Sequence, residues 1–134
     1  MKTLIASLAL CVAAAVQAAT PAELLAGYRS EAAQQSAGFQ PSAQRGRELY
    51  VKRFGVSEKL ASCASCHTDN PAQAGKHVVT DKPIDALAPA ANPERLTDKA
   101  KAEKWFRRNC KEVVGRECTS AEKADFVAFL SGGR

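Results

Sequence analysis

The chain has 134 residues, with 19 Lys and Arg against 14 Asp and Glu, a formal charge of +5, five Cys, two His and one Met. That length holds one domain with a modest core, and five Cys are too sparse for a disulfide-dense scaffold. The basic residues are interleaved with acids and form no Lys/Arg-rich run, which excludes a nucleic-acid binder of the usual kind.

Met1–Ala18 has the build of a secretory signal peptide. Lys2 is its charged start, Leu4 to Val16 its apolar stretch, and Val16-Gln17-Ala18 supplies the small residues ahead of a cleavage point. The apolar run is short for a membrane anchor, and Leu10 is bulky for lipid attachment at Cys11. Cleavage after Ala18 removes Met1, Lys2 and Cys11. The mature chain is then expected to be a single soluble periplasmic domain, 19–134, with four Cys and no Met, in an oxidising compartment.

Thr20-Pro21-Ala22-Glu23 joins an N-cap Thr, a Pro at the first helical position and a Glu three residues past the cap. It predicts a helix over about 21–35 with Leu24, Leu25 and Tyr28 on one face, ended by Gly38 and Pro41. Ser42 caps a second helix to about Phe54. Gly46, Tyr50 and Phe54 share its face, and the small Gly46 admits another helix at close range. Residues 69–93 are rich in Pro, Gly, Asn and Ala and carry no strand signal, and so long an irregular stretch is expected to wrap something. Thr97-Asp98 opens a third helix to about Lys111. Thr119-Ser120-Ala121-Glu122 opens a last one to about Leu130, carrying Phe126, Val127, Phe129 and Leu130. The pattern is all-α.

Cys63-Ala64-Ser65-Cys66-His67 is the most specific feature. In an exported chain this spacing sets two thiols one helical turn apart for thioether bonds to a haem, with the adjacent His as iron ligand. A disulfide redox pair normally follows a strand, and no strand pattern precedes Cys63. A zinc site needs further ligands at matching spacing, which Cys110 and Cys118 do not supply. One covalent haem c is therefore expected. The irregular segment would lay Ile84, Leu87, Val78 and Val79 against its edge, and the Gly46/Tyr50 and Phe126/Leu130 helices would cross as its scaffold.

A small electron-transfer cytochrome usually places a Met sulfur opposite the His, and the mature chain has no Met. His77, a Lys, a side-chain amide or an open position remain. In the third helix Ala102, Trp105, Phe106 and Asn109 recur at i, i+3, i+4 and i+7 as one apolar face. Asn is its odd member, either capping the last carbonyls of the helix or offering its own oxygen to the iron. Cys110 and Cys118 pair most economically with each other, the alternative being free or intermolecular thiols. So short a loop gains about 2–3 kcal/mol from closure, and it would fix the backbone beside Asn109. Lys99, Lys101, Lys104, Arg107 and Arg108 fall on the other faces of this helix, as a solvated surface or as a docking patch for an acidic redox partner.

Cys63-Ala64-Ser65-Cys66-His67-Thr68, Gly75-Lys76-His77, Ala90-Ala91-Asn92-Pro93-Glu94-Arg95 and Lys104-Trp105-Phe106-Arg107-Arg108-Asn109-Cys110, continuing through Gly115-Arg116-Glu117-Cys118, resemble the sphaeroides haem protein family over most of the mature chain. The resemblance implies a class I-like monohaem cytochrome c of four to five helices. In it Cys63 and Cys66 hold the haem, His67 is the proximal ligand, Asn109 is the distal ligand of the oxidised state, and Cys110 and Cys118 are bridged. It further implies that the Asn leaves on reduction, that oxygen or nitric oxide then binds, and that a dihaem cytochrome c or another periplasmic redox protein donates electrons. Asn92, in a matching segment, is the rival to Asn109. An amide oxygen suits ferric iron better than the softer ferrous ion, and Trp105 and Phe106 would keep the opened pocket apolar. Three functions follow: a haem protein that accepts electrons and binds small gases, with or without reducing oxygen or nitric oxide; a plain electron shuttle with His77 or another strong sixth ligand; and a catalytic or accessory domain of sulfur or nitrogen oxide metabolism, for which the sequence shows no further site residue.

Overall fold

A computed structural model describes residues 19–132, so the leader read in 1–18, Cys11 included, lies outside the described residues. Among the described residues the chain order is α1 (Pro21–Gln35), α2 (Ala43–Val51), α3 (Ala64–His67), β1 (Gly75–Lys76), β2 (Pro83–Ile84), α4 (Lys99–Val113) and α5 (Ser120–Ser131). Each of the four longer helices starts on a side-chain cap. The Thr20 and Thr119 hydroxyls accept from the N–H of Glu23 and Glu122, whose carboxylates reach back to the cap N–H in both cases. Ser42 and Asp98 accept from Arg45 N–H (3.3 Å) and Lys101 N–H (2.9 Å).

Two elements depart from the sequence expectation. α2 stops at Val51 instead of reaching Phe54, because Lys52 turns extended and the Phe54 N–H donates to Ala61 O at 3.0 Å. The Lys52 ammonium then sits 5.2 Å from the Phe54 ring centroid. The segment taken as free of strands holds one short antiparallel ladder, Gly75 opposite Ile84 and Lys76 opposite Pro83.

α5 is the central element. Its buried residues, Ala124, Asp125, Val127, Phe129 and Leu130, spread around the helix, since α1 packs on one side and α2 on another. Toward α1 it meets Leu24 and Tyr28; toward α2 it meets Tyr50. The expected crossing of α2 on α5 occurs at Gly46, where a Cβ would overlap the Asp125 carbonyl and lie 2.8 Å from Phe129 Cβ. Asp125 is buried at this crossing. Its charge is satisfied by Ser42 N–H at 2.7 Å and by the Arg45 guanidinium at 2.7 and 2.8 Å, three charge-assisted bonds that lock the start of α2 onto α5.

Gly46→Ala is expected to cost about 1–3 kcal/mol, because two helix backbones must part to admit one methyl group. Gly27→Ala, in α1 with open space around it, is expected to gain up to about 1 kcal/mol. Urea unfolding midpoints that fail to move in opposite directions would contradict this packing.

Candidate haem-binding site

α3 is a single helical turn, too short to persist by propensity alone. Its neighbours hold it. Cys63 sits at the N-cap without a side-chain cap bond, and buried Ser62 acts in its place. Ser62 N–H donates to Ser65 Oγ (3.1 Å) and Ser65 N–H returns a bond to Ser62 Oγ (3.2 Å). At the far end the fully buried Tyr50 hydroxyl lies 3.0 Å from His67 O and 2.6 Å from Thr68 O, donating into the end of the turn. Thr68 then takes φ +63°, so the chain reverses directly after His67. Cys63, Ala64 and Leu87 pack on the apolar cluster of Tyr50, Phe129 and Leu130, which forms a floor beneath the turn.

The irregular segment folds back onto this turn. Gly75 passes so close that a Cβ would overlap the Cys66 carbonyl. Pro71 O accepts from both Leu87 and Ala88 N–H at 2.9 Å, and the Arg95 guanidinium donates to Ala86 O (2.9 Å) and Asp85 O (3.1 Å). Ile84 and Leu87 are half-buried, while Val78 and Val79 remain 37% and 52% exposed. The sequence patterns do not reveal the Tyr50 hydroxyl, the Ser62–Ser65 pair or Arg95. Gly75 alone carried a signal, as a lone glycine in a segment expected to wrap.

Charge and burial set the state of the ligating groups. Burial first, then the positive charge of Arg95, hold the His67 imidazole down at about 4, so it is neutral near pH 7, the form that could offer a lone pair to iron. Burial pushes the Cys63 thiol up to about 11, far from the low values of redox-active Cys-x-x-Cys thiols. Cys63 and Cys66 are not joined to each other. Among the described residues no group of three or more His, Cys, Asp or Glu is placed to hold a metal ion, so the zinc alternative lacks its ligands. Two unbridged thiols and a neutral imidazole on one turn over an apolar floor are the donor set that covalent haem c requires.

Three residues were candidates for the sixth position. The His77 imidazole accepts at Nδ1 from Val79 N–H (3.2 Å) and Thr80 N–H (3.3 Å). A neutral His accepting at Nδ1 carries its proton on Nε2, which leaves no lone pair there for a metal. Asn92 Oδ1 accepts from Glu94 N–H (3.3 Å) within its own turn. Asn109, half-buried on α4, has its amide in no hydrogen bond among the described residues. One residue on, Cys110 is joined to Cys118, with Cα atoms 5.7 Å apart. Gly115, at φ +81°, turns the chain between them, and the Arg116 guanidinium grips both Glu122 oxygens at 2.7 and 2.8 Å. Phe106 meets Tyr28 and Phe126 edge-on at 5.7 and 5.6 Å. Trp105 is 42% exposed, with the Arg108 guanidinium 5.7 Å from its ring.

Residues 36–130 match the family described as a domain of unknown function, DUF1924. The chain is 44% identical over 113 residues to cytochrome c-type protein SHP of Cereibacter sphaeroides, covering 84% of this chain and 83% of that protein. The solved structure of oxidized SHP, described as an oxygen-binding cytochrome c, superposes with a TM-score of 0.78 at 42% identity, over 86% of this chain and 98% of that one. Oxidized cytochrome c'' from Methylophilus methylotrophus gives 0.77 at 36% identity, over 85% and 94%.

Tyr50→Phe keeps the ring in the floor and strips the donor from two carbonyls. It is expected to destabilise the haem-loaded protein by about 1–3 kcal/mol in guanidinium unfolding. An unchanged unfolding curve would show that the hydroxyl does not hold the turn.

Proposed function

Because the chain belongs to the sphaeroides haem protein family of cytochromes c, with one covalently bound haem c, we propose that it is a periplasmic electron acceptor that takes up a small diatomic gas when Asn109 leaves the iron on reduction. When bound, the haem supplies a one-electron couple and the coordination position opposite His67. Cys63 and Cys66 anchor it, and His67 is the proximal ligand. Asn109 offers its amide oxygen from the other side. That oxygen is a neutral, hard donor, adequate toward ferric iron and weak toward ferrous. Once displaced, the same amide can donate an N–H to the incoming gas. Phe106, fixed between Tyr28 and Phe126, keeps water from that side, and Trp105 borders it one turn before Asn109.

The observation that carries this reading is the state of the three candidates. His77 Nδ1 and Asn92 Oδ1 are engaged in their own turns, whereas the Asn109 amide is free among the described residues and its backbone is pinned by the neighbouring disulfide. The first solved relative is described as oxygen-binding, which supports oxygen as a ligand here, and the family resemblance adds nitric oxide. A dihaem cytochrome c, or another periplasmic redox protein, is the proposed donor. Lys101, Lys104 and Arg107 are exposed on α4 and enter no ion pair among the described residues, which suits an acidic partner. The signal peptide over 1–18, cleaved after Ala18, accounts for export of the domain at 19–134, and the Cys110–Cys118 bridge fits an oxidising compartment. No described helix is long and apolar enough to cross a membrane.

Asn109→Ala is expected to shift the ferric optical and resonance Raman spectra by replacing the amide oxygen with water or an open position; unchanged spectra remove Asn109 as ligand. The reduced wild-type protein is expected to bind carbon monoxide rapidly. A reduced spectrum that is six-coordinate and low-spin with no ligand added would support the plain shuttle instead.

A further inference from the structure

α4, the helix that bears Asn109, is attached differently from the rest of the bundle. The close helix–helix packings are α2 on α5 and α1 on α5, while α4 meets the core through Ala102 and Phe106, which pack on the Leu24, Tyr28, Ala124 and Val127 cluster, and through buried Cys110 and Val113 near its end. At its start Lys99 meets Glu31 at 3.3 Å, an exposed pair of small energetic weight. At its end the disulfide ties Cys110 to Cys118. Between these lies a shielded cluster. The Lys123 ammonium of α5 binds both Glu103 oxygens of α4, at 2.8 and 3.0 Å, and its side chain is only 16% exposed. The same ammonium lies 5.5 Å from the Tyr28 ring and 5.8 Å from the Phe106 ring. Burial would lift the Glu103 carboxyl, but the bond from Lys123, the Tyr28 hydroxyl and the charges of Lys123 and Lys99 outweigh it and hold that carboxyl below its usual range. The buried Tyr28 hydroxyl faces the same carboxylate, so Glu103 is drawn toward the core from two sides, by Lys123 and by Tyr28.

We propose that Lys123 is a positioning residue for the sixth iron ligand: its tie to Glu103, together with its seat on Phe106, fixes the roll of α4 and so the reach of Asn109. This rests on the reading of Asn109 as that ligand. The geometry explains why the disulfide does not suffice. A single link at Cys110, into a loop turned by Gly115, fixes the end of the helix at one point and leaves the roll of its earlier turns to their side-chain contacts. Glu103 lies seven residues before Cys110, on nearly the same face. It stands about 9 Å along the axis from Asn109. Two links on one face stop the roll. A 15° roll would carry an atom about 6 Å from the axis through roughly 1.5 Å, well beyond the ~0.5 Å within which a site must be held. Lys123 touches neither haem nor gas in this scheme; it acts through Glu103 and Phe106.

Lys123→Met keeps the length and apolar stem of the side chain and removes its charge. Its ferric form is expected to gain the spectral component of the Asn109→Ala variant and to bind added imidazole about tenfold more tightly, the lower end of what loss of a ligand's support produces. Carbon monoxide binding to the reduced form, from which Asn109 has already departed, is expected to stay as in wild type. This ferric–ferrous split is what a general loosening of the fold would not give. Glu103→Gln should reproduce it, which covers the case of Lys123→Met failing to retain haem, and Lys123→Arg should restore wild-type imidazole affinity. Unchanged ferric imidazole binding in both charge-removing variants, or an equal change in the reduced form, would overturn the proposal. Asn109→Ala separates the two claims. If it leaves imidazole affinity unaltered, Asn109 is not the ligand; if it tightens binding while Lys123→Met and Glu103→Gln do not, the positioning role alone fails.

Discussion

The close crossing of α2 on α5 at Gly46 is the constraint from which the site follows. Only the absence of a Cβ lets the α2 backbone reach the Asp125 carbonyl, and Asp125 answers by holding Ser42 and Arg45 at the start of α2. With α2 fixed, Tyr50 one turn later is carried under α3, where its hydroxyl meets His67 and Thr68. A four-residue turn with no stability of its own thereby becomes a rigid platform. The thiols and imidazole that define the cofactor chemistry are placed by a contact between two helices that contain none of them.

The two sides of the proposed iron site are built on different principles. His67 sits on the platform, enclosed by the 69–96 segment through Gly75, Pro71 and Arg95, and burial keeps its ring neutral. Asn109 sits on α4, which meets the core through Ala102 and Phe106, an ion pair and one disulfide, with fewer close contacts than α1 or α2 make with α5. A firmly seated proximal side and a distal side borne by an adjustable helix suit a protein that gives up one ligand and keeps the other. In the proposed reading the chemistry of the amide oxygen makes the distal bond weak, and the attachment of the helix sets how far that weakness extends.

Much of this could be read from the residues because it is written in local patterns. Thr20 with Glu23 and Thr119 with Glu122 announce helix starts within four residues. Gly46 announces a close approach because nothing else explains a glycine in a helix face with Tyr50. The Cys63-to-His67 spacing belongs to one turn. What stayed hidden depends on pairs remote in sequence or on turns without a period. The Tyr50 hydroxyl bonds to carbonyls 17 and 18 residues away, and no side-chain pattern marks a carbonyl. The 75–84 ladder is two residues per strand, too short for alternation to register. Lys123 and Glu103 look like ordinary surface charges until the fold brings α5 against α4. His77 is a rival by residue type, and what weighs against it, the hydrogen bonds at its Nδ1, lies in a turn with no pattern in the sequence.

The central claim is that the side chain of Asn109 is on the iron in the oxidised protein and off it in the reduced one. The chain contains three Asn, at 70, 92 and 109, so nuclear magnetic resonance of protein labelled with nitrogen-15 at asparagine can follow each side-chain amide separately. In the ferric state one amide, absent from the Asn109→Ala variant, should be shifted far outside the normal range by the unpaired electron, and reduction should return it to an ordinary position. Three unshifted amides in the ferric state, or one that stays shifted on reduction, would contradict the account.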